Sequence, residues 1–213
     1  MKMKKLIKSN NYLRLSVCTL IAGFIFLGIV AHRFAYFGID LTVSQAVQSI
    51  HNPIFSLFMN VVSEIGDDFN LVIIVVLAMP LLFLAGLKVE AIKTALLTAS
   101  AATVGSFVKS LVNRPRPGSD LVIIQEALVS KSFPSLHVLT FAVFFGYMLY
   151  LALYKVQTQW LKIFIAVPST VLILTIGISR IYLGAHWASD VVGGYLLGAI
   201  FLVIAINLGR GDL

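Results

Sequence analysis

The sequence predicts an all-α integral membrane protein, a bundle of six transmembrane helices with an extra interfacial amphipathic helical segment between spans one and two. Of the 213 residues, 59% are hydrophobic and only 12% are charged, and the mean hydropathy is +0.97. Six apolar runs have roughly the 17 to 25 residues that a helix needs to cross a hydrocarbon layer about 30 Å thick. Because composition does not break along the chain, we expect residues 1–213 to form a single membrane domain.

The first apolar run covers residues 15–31 and follows a lysine-rich segment. It is longer than the core of a usual signal peptide, so we predict a retained first span. The remaining spans are predicted at residues 71–87, 91–112, 136–154, 163–178 and 187–208.

Between the first and second spans, apolar residues recur at helical spacing from 41 to 62, with an interruption at residues 51–53. This pattern predicts a helix or helical hairpin that lies in the interface and covers one mouth of the protein. Glu64, Asp67 and Asp68 follow in a polar turn. We expect a solvated loop there rather than a metal site, because no His or Cys accompanies them.

The charged residues indicate a topology rather than a nucleic-acid partner. The 16 Lys and Arg against 9 Asp and Glu lie mostly at the ends of apolar runs, where topology signals belong. Six spans with both termini cytoplasmic put ten cations inside: Lys2, Lys4, Lys5, Lys8, Arg14, Lys88, Lys93, Lys155, Lys162 and Arg210. The other six, Arg33, Lys109, Arg114, Arg116, Lys131 and Arg180, then lie outside. The single cysteine, Cys18, allows no intrachain disulfide.

A short polar stretch lies between the last two apolar runs and contains Arg180, His186 and Asp190. Ionisable residues in such a place are costly unless they are used. His186 and Asp190 are four positions apart, so on a helix they share one face of the first turn, where the carboxylate can reach the imidazole. That is the geometry of an oriented nucleophile or base.

Two further polar stretches fall at the same membrane face. Residues 109–117 read Lys-x6-Arg-Pro at the outer end of the third span, and residues 134–137 read Pro-Ser-Leu-His at the start of the fourth. Lys109, Arg116 and Arg180 can pair with the oxygens of a phosphate monoester. Ser135 and backbone N–H groups near Leu136 can add donors. These cations would take the role that a divalent metal has elsewhere, so we expect no metal and no other cofactor.

The three stretches in order, with Ser-Arg-x5-His-x3-Asp as the third, resemble the signature of the type 2 phosphatidic acid phosphatase superfamily. The resemblance implies that His186 attacks phosphorus, that Asp190 orients His186, and that His137 serves as general acid and base. One position departs from the family pattern, because Leu136 stands where the family has Gly. A Gly there would let the backbone approach an anion closely and adopt positive φ, so we expect Leu136 to weaken activity.

The resemblance also implies a function and a substrate class. We expect a membrane lipid phosphatase that hydrolyses the terminal phosphate of phosphatidylglycerophosphate and yields phosphatidylglycerol through a phosphohistidine, with its site on the external face of the cell membrane. The alternative within the class is hydrolysis of undecaprenyl pyrophosphate. An alternative from another class is a weakened lipid-phosphate binding protein or transporter, which Leu136 favours. The expected partner is therefore a phospholipid or isoprenoid phosphate in the membrane; the oligomeric state is not predicted.

Several other residues receive ordinary structural interpretations. We expect His32 and His51 to be satisfied polar groups without a catalytic role. Arg114 precedes a proline at the wrong distance from Lys109, so we expect it to contact a lipid headgroup. The Gly194-x-x-x-Gly198 pattern allows close helix approach, either within the protein or in a dimer.

Overall fold

The computed structural model describes residues 2–126 and 128–208, with side chains for 14–67, 69–126 and 128–207. Within that part of the chain the regular secondary structure consists of α-helices alone. The eight helices are α1 (Lys2–Arg33), α2 (Gly38–Gln48), α3 (Pro53–Ile65), α4 (Asp68–Leu84), α5 (Lys88–Val112), α6 (Leu136–Tyr154), α7 (Gln159–Tyr182) and α8 (Ala188–Leu208). The predicted all-α class is confirmed. The side chains of the four lysines before residue 10, of Asp68 and of Arg210 lie outside the described residues.

The predicted membrane spans correspond to α1, α4, α5, α6, α7 and α8. Among the described residues, five of these helices are long and apolar enough to cross a membrane. Helices α3 and α4, bent by 64°, make the count six if the pair is one span. Helix α6 has the predicted bounds, whereas α7 extends four residues beyond the prediction at each end. The extension arises because the polar ends of α7, including Arg180, continue the helix beyond its apolar run.

Helix α6 lies at the centre of the bundle and packs against α5, α7 and α8. Its side chains Val138, Phe141 and Phe144 form the main apolar cluster together with residues of α3, α4, α7 and α8. The glycines of α8 allow its close approach to α6. A Cβ added at Gly194 would lie 2.8 Å from the carbonyl oxygen of Ser135, and one at Gly198 would lie 2.8 Å from Ala142 Cβ. Internal packing therefore accounts for the Gly-x-x-x-Gly pattern.

The predicted amphipathic segment is a pair of helices, α2 and α3, separated at residues 49–52. Asn52 begins α3, because its Oδ1 accepts hydrogen bonds from the backbone N–H groups of Ile54 (2.9 Å) and Phe55 (3.1 Å). The pair packs against the C-terminal half of α7, where Ser179 donates a hydrogen bond to the carbonyl oxygen of Met59. The two helices thus cover one end of the bundle, which is the end that carries the polar stretches.

The long connection between α5 and α6, residues 113–135, is attached to the same end. The Nε2 of Gln48 donates to the carbonyl oxygen of Ile123 (2.7 Å), and the N–H of Ile123 donates to Gln48 Oε1 (3.0 Å). Gly184 has a φ of +69°, and a Cβ there would collide with the carbonyl oxygen of Ile123. The connection therefore lies directly over the turn between α7 and α8.

Candidate active site

The imidazole of His186 is buried in the turn between α7 and α8, and its neighbours determine which nitrogen carries the proton. Nδ1 lies 3.6 Å from Asp190 Oδ2, and Nε2 lies 3.1 Å from Nη1 of Arg116. A guanidinium only donates hydrogen bonds, so Nε2 is the acceptor and Nδ1 holds the proton that faces Asp190. The lone pair of Nε2 is thereby presented toward the positively charged side of the site.

Burial also keeps His186 uncharged. Burial, followed by the positive charges of Lys109, Arg116 and Arg180, lowers the pKa of His186 well below its usual value. A neutral imidazole retains the free electron pair that a nucleophile needs. The same cations that would attract a phosphate therefore keep the imidazole in its reactive form.

Asp190, in the first turn of α8, is held by several donors. Its Oδ2 accepts hydrogen bonds from Ser132 Oγ (2.5 Å) and from the backbone N–H of Trp187 (3.0 Å), and its Oδ1 accepts from Arg114 Nη1 (2.6 Å). A carboxylate at a helix N-terminus is also favoured by the helix dipole. These contacts fix the Asp190 side chain in its position beside His186, as the i, i+4 spacing predicts.

Arg116 is oriented by the connection that precedes α6. Its Nε and Nη2 donate to the carbonyl oxygen (2.6 Å) and hydroxyl (2.8 Å) of Ser130, and its Nη1 donates to the carbonyl oxygen of Ala185 (2.5 Å). Burial and the positive charge of Arg180 lower the pKa of Arg116 to about 10. Arg116 therefore still carries a full charge at neutral pH.

Arg180 is buried at the end of α7 and forms a two-pronged ion pair with Glu126. Nη1 and Nη2 lie 2.7 and 2.8 Å from the two carboxylate oxygens, and Nη1 also donates to Ser63 Oγ. Burial opposes the charge on Glu126, yet hydrogen bonds and attraction from Arg180 lower the pKa of Glu126 below its usual value. Sequence reasoning missed Glu126, which is an ordinary acidic residue in a polar connection.

The remaining predicted phosphate ligands lie in the same place. Ser135 is fully buried before α6, its N–H donates to the carbonyl oxygen of Asp190 (3.1 Å), and its hydroxyl has no partner among the described residues. Nε of Arg180 is likewise buried without a partner. Lys109, in the last turn of α5, and His137, in the first turn of α6, lie close enough to His186 to influence its charge. The predicted site residues are thus brought together at one end of the bundle.

Leu136 adopts a position that the sequence argument did not anticipate. It belongs to α6 and its φ is not positive, so the backbone needs no glycine there. Its side chain points toward α5, where a Cβ added at Gly105 would lie only 2.6 Å from Leu136 Cδ2. The absence of a side chain at Gly105 therefore makes room for Leu136. The ground that a positive φ requires glycine does not apply here, and the weakened activity itself stays a prediction.

The prediction that Arg114 contacts a lipid headgroup is wrong. Its side chain is completely buried and pairs with the carboxylates of Asp40 (2.8 Å) and Asp190 (2.6 Å). The physical reason is that a buried carboxylate without a positive partner strongly destabilises the folded protein, whereas a lipid headgroup is already solvated by water. Asp40 is a second residue that sequence reasoning missed. A signal was present, because Asp40 is the first acidic residue of the chain and directly precedes the amphipathic segment predicted at residues 41–62.

Other residues have the ordinary roles expected of them. His32 Nδ1 lies 3.0 Å from the carbonyl oxygen of Val112, and His51 Nδ1 lies 2.7 Å from that of Ser49. Glu64 and Asp67 are both exposed, but only Asp67 lies in the turn, because Glu64 belongs to the last turn of α3.

The family comparison agrees with the site geometry. The PAP2 superfamily matches residues 90–211, which include every predicted site residue. The chain belongs to the PAP2 superfamily. The resemblance inferred from the three motifs is therefore confirmed.

Individual relatives of this PAP2 protein are lipid phosphatases by name. Phosphatidylglycerophosphatase B of Bacillus subtilis is 24% identical over 182 residues, which cover 85% of this chain and 88% of the relative. Lipid phosphate phosphatase delta of Arabidopsis thaliana is 28% identical over 141 residues, which cover 62% of this chain and 34% of the relative. The chain is thus a multi-pass membrane protein of a lipid phosphatase family.

Two crystal structures share the fold. The transmembrane PAP2-type phosphatidylglycerolphosphate phosphatase of Bacillus subtilis superposes with a TM-score of 0.80 at 22% identity and covers 92% of this chain and 96% of its own. LpxE of Aquifex aeolicus superposes with a TM-score of 0.64 at 23% identity and covers 80% and 96%. The helical membrane bundle therefore has solved counterparts.

Proposed function

We propose that this protein is a membrane phosphatase that removes the terminal phosphate of phosphatidylglycerophosphate through a phosphohistidine at His186. The observation that carries the proposal is the His186 imidazole, whose Nδ1 faces Asp190 (3.6 Å) and whose Nε2 faces Arg116 (3.1 Å). A phosphate that pairs with Arg116 would lie beside the free electron pair of Nε2. This arrangement suits attack on phosphorus.

The phosphate ligands in this proposal are Lys109, Arg116, Ser135, Arg180 and the backbone of Leu136. Together the three cations offset the charge that spreads over the oxygens of the transition state. Ser135 Oγ and Arg180 Nε are buried donors that have no hydrogen-bond partner in the part of the chain that the structure describes, and donors in that condition favour a bound anion. The three cations supply the positive charge here, and no metal ion is included in the mechanism.

The reaction proceeds in two balanced steps. Nε2 of His186 forms a bond to phosphorus while the bond between phosphorus and the lipid oxygen breaks, and His137 donates a proton to that oxygen. Water then attacks the phosphohistidine as His137 takes a proton from it, and inorganic phosphate is released. Asp190 stabilises the positive charge that develops on His186, as the orienting carboxylate does in other nucleophilic sites.

A lipid substrate is supported by an apolar groove that begins beside the site. The groove has a volume of about 440 Å3 and runs between α4, α5 and α6, with Leu136 at one end. Its α5 lining, from Ala95 to Ser106, spans about 16 Å at 1.5 Å per residue, roughly one leaflet of the hydrocarbon layer. Val72 and Val76 of α4 line the groove and are exposed, so the groove opens toward the surrounding lipid on this side. A hydrocarbon chain in the groove would place its phosphate next to Ser135 and His137.

We further propose that both termini are cytoplasmic and that the site faces the external side. Lys88 begins α5 and Lys155 follows α6, both at the end of the bundle opposite to the site, and short cytoplasmic loops are enriched in such cations. The terminal phosphate would then be hydrolysed at the outer leaflet.

Phosphate release by the purified chain in detergent tests the proposal. Phosphatidylglycerophosphate, undecaprenyl pyrophosphate and phosphatidic acid are compared for the wild type, His186→Ala and the matched control His32→Ala. We expect phosphatidylglycerophosphate to have the highest kcat/KM, His32→Ala to match the wild type, and His186→Ala to show only background. Fastest release from undecaprenyl pyrophosphate would support the alternative substrate, and wild-type rates equal to those of His186→Ala would support a non-enzymatic binder.

A further inference from the structure

Arg114 connects two carboxylates that are distant in sequence. Its Nη2 donates to Asp40 Oδ2 at 2.8 Å, and its Nη1 donates to Asp190 Oδ1 at 2.6 Å and to Ser189 Oγ at 2.7 Å. Nε donates to the carbonyl oxygen of Ala35 at 3.1 Å. Every hydrogen-bonding nitrogen of this guanidinium is therefore engaged, and none is directed toward the phosphate ligands.

The cluster is completely buried, which makes its charges interdependent. The side chains of Asp40, Arg114 and Asp190 have no exposed surface. A buried carboxylate without a cation is strongly disfavoured, and a buried cation needs carboxylates in return. Removal of Arg114 would leave two adjacent buried carboxylates, one of which is the residue that faces His186.

Asp40 connects the cluster to two further backbone segments. Besides Arg114, it accepts hydrogen bonds from the N–H of Ser189 (2.8 Å), from Ser189 Oγ (2.8 Å) and from the N–H of Phe37 (3.0 Å). It therefore joins the start of α2 to the first turn of α8, where Asp190 lies. Arg114 is also stacked over the ring of Phe37, with 4.8 Å between the guanidinium carbon and the ring centroid.

The chain of contacts thus continues from α2 to the nucleophile. Asp40 holds Arg114, Arg114 holds one oxygen of Asp190, and the other oxygen of Asp190 lies 3.6 Å from Nδ1 of His186. We propose that Asp40 and Arg114 are positioning residues that keep Asp190 ionised and aimed at His186. This inference rests on the proposed function, and it assigns the amphipathic helix α2 a part in the site.

Kinetic variants test the role. Asp40→Asn, Arg114→Lys and Arg114→Met are compared with Glu90→Gln, which alters a partly buried carboxylate near Lys155 at the opposite end of the bundle. A misplacement of about 1 Å costs about a hundredfold in rate, so we expect kcat to fall about a hundredfold in Arg114→Met and at least tenfold in Asp40→Asn. Arg114→Lys should recover part of the loss, and Glu90→Gln should match the wild type.

A comparison of kcat with KM and Ki separates a positioning role from a general loss of structure. Because the phosphate ligands are separate residues, KM for the lipid and Ki for inorganic phosphate should stay within about twofold of the wild type. The double variant Asp40→Asn/Arg114→Met should be no slower than Arg114→Met, since both act through Asp190. Unchanged kcat in Arg114→Met, or parallel losses of kcat and phosphate binding in Asp40→Asn, would overturn the proposal. Asp40→Asn keeps the size of the side chain, so it decides the matter if Arg114→Met does not fold.

A measurement without turnover separates this inference from the proposed function. The 15N shifts of the His186 imidazole should report a single tautomer with the proton on Nδ1 in the wild type, and a mixture in Arg114→Met. If the wild type releases no phosphate from any lipid, the proposed function fails, and the tautomer shift alone decides the positioning role. The same tautomer in both proteins would contradict the role even if the wild type is an active phosphatase.

Discussion

Replacement of Glu126 by Gln removes a negative charge beside the phosphate ligands, and we expect it to tighten the binding of inorganic phosphate. Glu126 occupies both terminal nitrogens of Arg180, at 2.7 and 2.8 Å, so an arriving phosphate must share or displace this carboxylate. A glutamine has the same shape but accepts these hydrogen bonds without a charge. Arg180 should therefore turn more readily toward phosphate.

The size of the effect follows from the environment of the pair. Hydrogen bonds to charged groups contribute about 1.5–3 kcal/mol when buried, and exposed ion pairs about 0.2–1 kcal/mol. The Arg180 side chain is fully buried, but that of Glu126 is 33% exposed, so we expect a change of about 1 kcal/mol. Since about 1.4 kcal/mol corresponds to a factor of ten, the Ki for phosphate should fall about fivefold.

Competitive inhibition of lipid hydrolysis by inorganic phosphate measures this Ki at neutral pH. Asp120→Asn is the matched control, because it removes one negative charge from the same connection between α5 and α6 without a contact to Arg180. The control should leave Ki within about twofold of the wild type. A higher or unchanged Ki in Glu126→Gln would refute the reasoning, because it would mean that Glu126 holds Arg180 in place for phosphate rather than competing with it.

Three further predictions concern the turn, the protonation state and metals. Gly184→Ala should lower the stability of the folded chain by about 2 kcal/mol or more and reduce activity, because φ is +69° and Ile123 leaves no room for a Cβ; melting in detergent checks this, with Gly23→Ala, which meets nothing within 4 Å, as the control. The His186 imidazole should stay neutral from about pH 8 down to at least about pH 6.5, because burial and nearby cations lower its pKa; 15N shifts that report imidazolium at pH 7 would contradict this. EDTA should not reduce kcat, because cations supply the positive charge; loss of turnover that Mg2+ restores would show a metal requirement.

The membrane architecture follows from local features of the sequence. Each span is an apolar run of the necessary length, and hydropathy reports that property without knowledge of the tertiary structure. The motif residues could likewise be assigned to helix ends, because polar groups in such a chain are tolerated there. His186 and Asp190 were within reach of prediction because four positions on a helix place two side chains on one face.

Other parts of the site depend on contacts between distant segments. Asp40 meets Asp190 through Arg114, across 150 positions of sequence, and Glu126 meets Arg180 across 54. No local pattern reports such a pairing, so both acids were missed and Arg114 was assigned to the lipid surface. The placement of the Leu136 side chain could not be predicted for the same reason, since the space that accommodates it comes from Gly105 on another helix.

Identification of the residue that carries phosphate during turnover tests the central proposal most directly. The wild type and His137→Ala are mixed with phosphatidylglycerophosphate that carries 32P in its terminal phosphate. Parallel samples are quenched in alkali, which preserves phosphohistidine, and in acid, which preserves phosphoserine, and the labelled peptide is identified by mass spectrometry. The mechanism predicts label on Nε2 of His186 in the wild type. In His137→Ala both the formation and the hydrolysis of the labelled species should be slower, because His137 is the acid of the first step and the base of the second. Label on Ser135, or rapid phosphate release by His186→Ala, would contradict it.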